Sequence, residues 1–354
     1  CINALVEKGL TKDNAREFSN NSCMGISIPG EEFNSMWGCV FSVSAVLETA
    51  MNCGKMLQSE KTLVPGIAVP KNIEKLFEKF KACAEYLLKI CVKSYEKRAE
   101  ISEKTFPDPF VSLLTPGCIE NHCDRISGAK YHNVTFECMG MVNVGDGICA
   151  IDKLVFKDKK YTIDEMNEAV KNNFVGFENI RSDILKCSKF GENSDADEYA
   201  IRVAQILQEL IRGFDHDNLY YSPSLHTLDS NVAYGAAYGA GYDGRYAGEP
   251  FAKNAGASNE ARQADPTSMI LSSSKLPQRK FFGGQPIDVN FGIDMVRNHK
   301  KEIRTLIDIY LERGGLQFQV NSVSSKLLRE AMENPEKYPN LVVRIGGYSI
   351  YFKN

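Results

Sequence analysis

The sequence predicts an α/β fold, and three observations carry that expectation. Helix-period apolar patterns alternate with strand patterns over all 354 residues. The run Leu316-Gln317-Phe318-Gln319-Val320-Asn321 alternates apolar with polar side chains, as a half-buried strand does. No internal repeat and no low-complexity linker divides the chain, which reads as one large domain or two ordinary ones. With 43% hydrophobic and 25% charged residues the composition is that of a globular protein. A net charge of -3 leaves no basic footprint for nucleic acid. No apolar run approaches the ~20 residues that span a bilayer.

The elements follow in order. Cys1-Ile2-Asn3-Ala4-Leu5-Val6 reads as helix at once, with no Met and no signal peptide before it, so the chain is expected to be a piece of a longer one. Thr11 caps a short helix running to Phe18. Ser19 to Gly30 is loop-like at both ends, with Cys23 in its middle. Trp37 to Asn52 carries apolar residues at helical spacing. Residues 73–99 form the clearest helix, apolar on the face of Leu76, Phe77, Phe80, Cys83 and Leu87. Phe106-Pro107-Asp108-Pro109-Phe110 interrupts the chain. An apolar, glycine-bearing stretch spans 134–156, and amphipathic helices are expected at 163–172 and 196–213. Residues 222–272 lack a regular pattern and read as a long loop of small residues lining a site. A helix over 294–313 ends at Gly314-Gly315, and a shorter one runs from Ser324 to Met332.

The eleven cysteines are odd in number and follow no disulfide rhythm, which points to a reducing compartment and hence the cytoplasm. Cys118, His122 and Cys123 fit no standard zinc spacing, and buried free thiols are the simpler reading. Gly239-Ala240-Gly241 lacks the Lys-Ser/Thr of a phosphate-binding loop and the strand and third glycine of a dinucleotide fingerprint. Near the end, Leu341-Val342-Val343 and Ile350-Tyr351-Phe352 bracket Gly346-Gly347, which alone would read as a turn or bulge between two strand halves.

The order of motifs changes that reading. After the Cys23 loop come Ala45-Val46-Leu47-Glu48-Thr49-Ala50-Met51-Asn52, then Pro109-Phe110-x-Ser112-Leu113 with Cys118-Ile119-Glu120. Next are Asp243-Gly244-Arg245-x-Ala247-Gly248-Glu249-Pro250-Phe251, Gln317-x-Gln319-x-Asn321, and Arg344-Ile345-x-Gly347-Tyr348-Ser349. This series resembles the C-terminal part of a glycyl radical enzyme of the pyruvate formate-lyase type, over essentially the whole chain. The resemblance implies a ten-stranded β/α barrel in which a cysteine loop and a radical loop meet. It assigns residues 1–334 to the C-terminal part of that barrel and 335–354 to the glycyl radical segment.

By the same resemblance Gly347 is the radical store and Cys23 the residue that becomes a thiyl. The stabilised α-carbon radical removes the thiol hydrogen at little cost, and the thiyl abstracts a substrate hydrogen and later returns it. A separate activating enzyme, using S-adenosylmethionine and an iron–sulfur cluster, would install the radical, so those cofactors are not bound by this chain. A homodimer, an oxygen-free setting and a small-molecule substrate are implied as well, with no nucleic-acid or membrane partner.

What stands beside the cysteine divides the family. Pyruvate formate-lyase resembles Cys-Cys there, whereas Ser22 precedes Cys23 here, which disfavours formate acetyltransferase-like acyl transfer. The dehydratases resemble Gly-Cys-Val-Glu, where the glutamate acts as base. Gly25 occupies that position and cannot transfer a proton. Arylalkane–fumarate addition enzymes resemble Cys-Met-Ser, nearer to Cys23-Met24-Gly25. Glu120 is the carboxylate nominated instead, with a surface position as its alternative. Glu31 and Glu32 are expected to be solvated, His122 to be structural, and Arg245 and Glu249 to support a loop. The expectation is therefore an enzyme of the lyase or acyltransferase class, cleaving C–C or C–X bonds as a lyase, dehydratase or decarboxylase. An inactive fragment or non-catalytic relative is the reading from another class, and a sugar- or nucleotide-binding α/β domain is a third.

Overall fold

A computed structural model describes residues 1–21, 25–59, 61–227, 229–345 and 348–351. The chain is mixed helix and strand, as expected. Its centre is a parallel three-stranded sheet: β3 (Glu32–Ser42), β4 (Tyr131–Met139) and β5 (Leu219–Ser224), in that order. Before it, β1 (Ser19–Asn21) and β2 (Gly25–Ser27) pair antiparallel on either side of the cysteine loop. A second parallel pair follows, β6 (Pro286–Asn290) with β7 (Gln317–Asn321). β8 (Val342–Ile345) and β9 (Tyr348–Tyr351) form an antiparallel hairpin.

Side chains alternate across a strand, and β4 shows what each face is for. Val134, Phe136 and Cys138 enter the main core. They pack with Phe41, Tyr221 and the apolar stripes of helices Val43–Met51, Ile73–Thr105, Met141–Ile151 and Ala196–Arg212. These helices thus cover the face that carries Val134, Phe136 and Cys138. Asn133, Thr135 and Glu137 point to the other face, and all three are buried polar residues.

Two expectations are corrected here. Residues 37–52 were expected to be one helix, but β3 continues through Ser42 and the helix occupies Val43–Met51. Cys39-Val40-Phe41 pairs with Phe136-Glu137-Cys138 of β4, and Ser42 caps the helix by accepting the Ala45 N–H at 3.3 Å. Pairing and a cap outweigh the periodicity of a short apolar run. Residues 222–272 are not one loop, although Ser222, Ser224 and His226 do face the polar side of the sheet. They include helices Ser230–Ala237 and Pro266–Lys275, and residues 238–252 are tied into the outer layer. Arg245 is fully buried there, donating to Tyr246 O at 3.0 Å, Glu249 O at 2.7 Å and Gly239 O. The support role expected for Arg245 agrees with this.

The helix Met141–Ile151 follows β4 through Gly140, whose φ of +76° is open to glycine at little strain. It then lies so close to the helix Ala196–Arg212 that a Cβ on Gly145 would stand 2.7 Å from Ala200 Cβ. Gly145→Ala is accordingly expected to destabilise the protein by about 1–3 kcal/mol through overpacking. Denaturant unfolding of variant and parent measures this, and an unchanged midpoint would show that the contact relaxes freely.

Candidate active site

β3, β4 and β5 run parallel and all end near one rim, with Ser42, Met139 and Ser224 as their last residues. Ligands of parallel α/β sheets gather at the carboxyl ends of the strands. At that rim Glu137 is in register with Val40 of β3 on one side and Ser224 of β5 on the other. Its relative exposure is 2%, and neither carboxylate oxygen has a hydrogen-bond partner among the described residues. Burial alone pushes its pKa up to about 8, so it is protonated at neutral pH.

Other polar groups line the same face. Ser222 donates to Asn133 Oδ1, and the Asn133 amide nitrogen has no hydrogen-bond partner among the described residues. Ser224 donates to Gly284 O at 3.1 Å and accepts the His226 N–H at 3.0 Å. His226 is 4% exposed, its Nε2 has no hydrogen-bond partner among the described residues, and burial lowers its pKa to about 4, so the ring is neutral. The segment Gly283-Gly284 crosses in front of β4 and β5. A Cβ on Gly283 would stand 2.6 Å from Thr135 Cγ2 and 2.8 Å from Ser224 Cβ, so glycine permits the approach. Tyr234, on the helix Ser230–Ala237, has its pKa raised by burial and then by the charges of Glu137 and Cys39, which places its phenol within electrostatic reach of the carboxyl.

The nominated residues stand as follows. Cys23 and Gly347 lie outside the described residues, between β1 and β2 and between β8 and β9 respectively. Glu120 is exposed on the short helix Cys118–Asn121, where it accepts the Gly117 N–H at 3.0 Å. His122 is exposed at the end of that helix with φ +53°. Neither is on the inner face with Glu137. Glu31 accepts from Lys130 Nζ at 2.9 Å and is half-buried. Glu32 is corrected: its side chain is buried, not solvated, and pairs with the equally buried Lys8 at 3.6 Å while accepting the Ile28 N–H at 2.8 Å. Burial lowers the Lys8 pKa and raises that of Glu32. The pairing ties the first helix to the start of β3.

Sequence reasoning passed over Glu137. Its signal was a lone carboxylate in the apolar run Val134-Thr135-Phe136-Glu137-Cys138-Met139, where an acid has no reason to be unless the strand has a polar face. Among the described residues no group of three or more His, Cys, Asp or Glu could hold a metal ion, and no helix is long and apolar enough to cross a membrane.

A parallel sheet with helices packed on one face and buried polar side chains on the other is an α/β architecture that gathers ligands at its carboxyl rim. Residues 1–235 match the family model described as pyruvate formate lyase-like, and residues 251–353 match the one described as glycine radical. The chain belongs to the pyruvate formate-lyase-like family of glycyl radical enzymes. It is 26% identical to (2S)-3-sulfopropanediol dehydratase of Klebsiella oxytoca, across 99% of this chain and 44% of that protein. It is 28% identical to isethionate sulfite-lyase of Bilophila wadsworthia, across 99% and 44%. Among solved structures, the glycerol-bound B12-independent glycerol dehydratase from Clostridium butyricum superposes with a TM-score of 0.93 at 27% identity, covering 99% of this chain and 46% of that one. The chain thus spans about half the length of the curated relatives it matches.

Proposed function

We propose that the protein is a glycyl radical lyase that cleaves a C–X bond of a small organic substrate, with Gly347 as radical store and Cys23 as the thiyl-forming residue. The observation that carries this reading is the glycine radical match over 251–353, which contains Arg344-Ile345-Gly346-Gly347-Tyr348-Ser349. Relatives named for dehydration and for sulfite elimination support cleavage of C–O or C–S bonds over acyl transfer.

The chemistry requires that the thiyl meet its substrate away from water, since a quenched radical ends turnover. A barrel interior lined by buried polar side chains suits both needs: Asn133, Glu137 and His226 offer neutral hydrogen-bonding groups there rather than fixed charges. A separate activating enzyme using S-adenosylmethionine would generate the radical. A homodimer in the cytoplasm of an oxygen-free cell completes the proposal.

Anaerobic activation of the full-length protein followed by electron paramagnetic resonance tests the reading. A glycine-centred doublet is expected in the parent and none in Gly347→Ala. Cys23→Ser is expected to keep the doublet and lose turnover. A doublet that survives Gly347→Ala would refute the assignment.

A further inference from the structure

We infer that the apolar surface built from residues 101–119 is where two copies of this protein meet. The inference rests on the homodimer proposed above for its partner, gives that dimer a contact face, and uses none of the radical chemistry.

Ile101, Phe106, Phe110, Leu113, Leu114 and Ile119 are all exposed, from 51% at Ile101 to 79% at Phe106. Side chains of this size offer roughly 150–250 Å² each when bare, so the six present on the order of 700 Å². The largest apolar patch of an ordinary monomer is about 300–600 Å², and a standard interface takes about 800 Å² from each partner. The surface is thus large for a monomer and near what one side of a stable dimer supplies. Its two phenylalanines belong to the residue types that anchor such contacts.

These side chains stand on a framework held from within. Phe110, Leu113 and Leu114 are three and four positions apart, on one side of the helix Pro109–Leu113 and its cap. Asp124 accepts the Asp108 N–H at 2.7 Å and the Ser112 hydroxyl at 3.0 Å, and Arg125 pairs with Asp108 at 3.3 Å. Glu120 accepts the Gly117 N–H at 3.0 Å. The acids of the segment are therefore engaged inside it, and association has little left to order. Beside the exposed rings lies a groove of about 400 Å³, walled by Pro107, Pro109, Leu113, Ile119, His122 and Cys123. Phe106 and Phe110 are not part of its wall. A surface with both an apolar knob and an apolar groove is complementary to itself under a two-fold axis, each copy seating a ring in the other.

Position favours a second copy over more of the same chain. The segment leads into the amino end of β4, the middle strand, where the Lys130 N–H donates to Pro116 O at 3.2 Å. Further strands of a longer chain would extend the sheet from an open edge, such as that of β3, which is unpaired on one side among the described residues.

The test uses full-length, unactivated protein and sedimentation over a range of concentrations. The parent should sediment as a dimer. Phe110→Glu and Leu113→Glu should raise its dissociation constant 100-fold or more, as loss of a central anchor does. Val175→Glu, at an apolar residue exposed elsewhere, should leave it within threefold. Cys123 is exposed and lines the groove, so its alkylation, mapped by mass spectrometry, gives a second reading. It should be slow in the dimer and fast in the Phe110→Glu monomer, with Cys53, exposed outside this segment, as the control. A monomeric parent overturns the inference, and so does a dimer that both variants leave within threefold. Fast alkylation of Cys123 in the parent dimer also overturns it and needs no variant that folds. Cys123 equally slow in dissociated protein overturns it too, because the rest of the chain would then cover the groove. Since the protein is unactivated, the result stands apart from the radical assignment, which the glycine-centred doublet tests.

Discussion

Arg245→Ala is expected to destabilise the protein by about 3–5 kcal/mol, measured as the shift in denaturant unfolding of the full-length chain. The guanidinium is fully buried and donates to three main-chain carbonyls, those of Gly239, Tyr246 and Glu249. It also lies over the Phe251 ring at 4.3 Å. Truncation leaves three acceptors without their donor in a place water cannot easily reach, and each such loss is worth about 1–3 kcal/mol before relaxation. The neighbouring network would loosen as well, because Asn143 joins the same segment to the core through Asp243 at 2.6 Å and the Ala252 N–H at 2.8 Å. Arg245→Lys should recover little, since the donors of an ammonium diverge from one nitrogen and do not span the carbonyls that two guanidinium nitrogens reach. A destabilisation below about 1 kcal/mol would show that the loop holds itself without the cation.

The second large effect is a pH-dependent gain from Glu137→Gln. Burial raises the folded-state pKa of Glu137 from its ordinary 4.5 to about 8. Between those values the folded state holds a proton that the unfolded state has released, so stability falls as pH rises through this window. By pH 9 the loss approaches about 5 kcal/mol, taking 1.36 kcal/mol for each unit of pKa. Glutamine has no proton to lose. The stability difference between variant and parent should therefore grow from pH 5 to pH 9 in favour of the variant. Comparing the two proteins cancels the other buried groups. Asp146 and Glu260, each raised to about 7, act in the same direction as Glu137. His132 and His226, lowered to about 4, act oppositely below neutrality. A difference that stays flat over this range would mean that Glu137 is ionised in the folded protein.

The same residues show where the sequence was legible. The helix beginning at Ile73 could be read because its apolar stripe repeats over many turns, although it extends to Thr105. The strand at Gln317–Asn321 could be read because its two faces meet different surroundings. β3 could not: its carboxyl half runs straight into a helix, and both are apolar, so no break in pattern marks the change at Ser42. Glu32 looked like one of two adjacent surface acids. Its burial depends on Lys8, which is 24 positions away in the chain, on another element.

Taken alone, the sequence determined the family, because ordered motifs such as Asp243-Gly244-Arg245 and Arg344-x-x-Gly347-Tyr348 survive as strings of residues. It also showed a departure from the dehydratases it resembles, since a glycine at position 25 needs no structure to be seen as unable to move a proton. Only the tertiary structure decided how differently two of its carboxyls are placed. Glu137 is a single carboxylate in an apolar run, whereas Glu120 is followed by Asn121, His122 and Asp124. Glu120 caps a surface helix in water, and Glu137 is drawn by the pairing of β4 with β3 and β5 onto the inner face of the sheet. Desolvation, which sets whether a carboxyl keeps its proton, depends on neighbours brought together by folding rather than on neighbours along the chain.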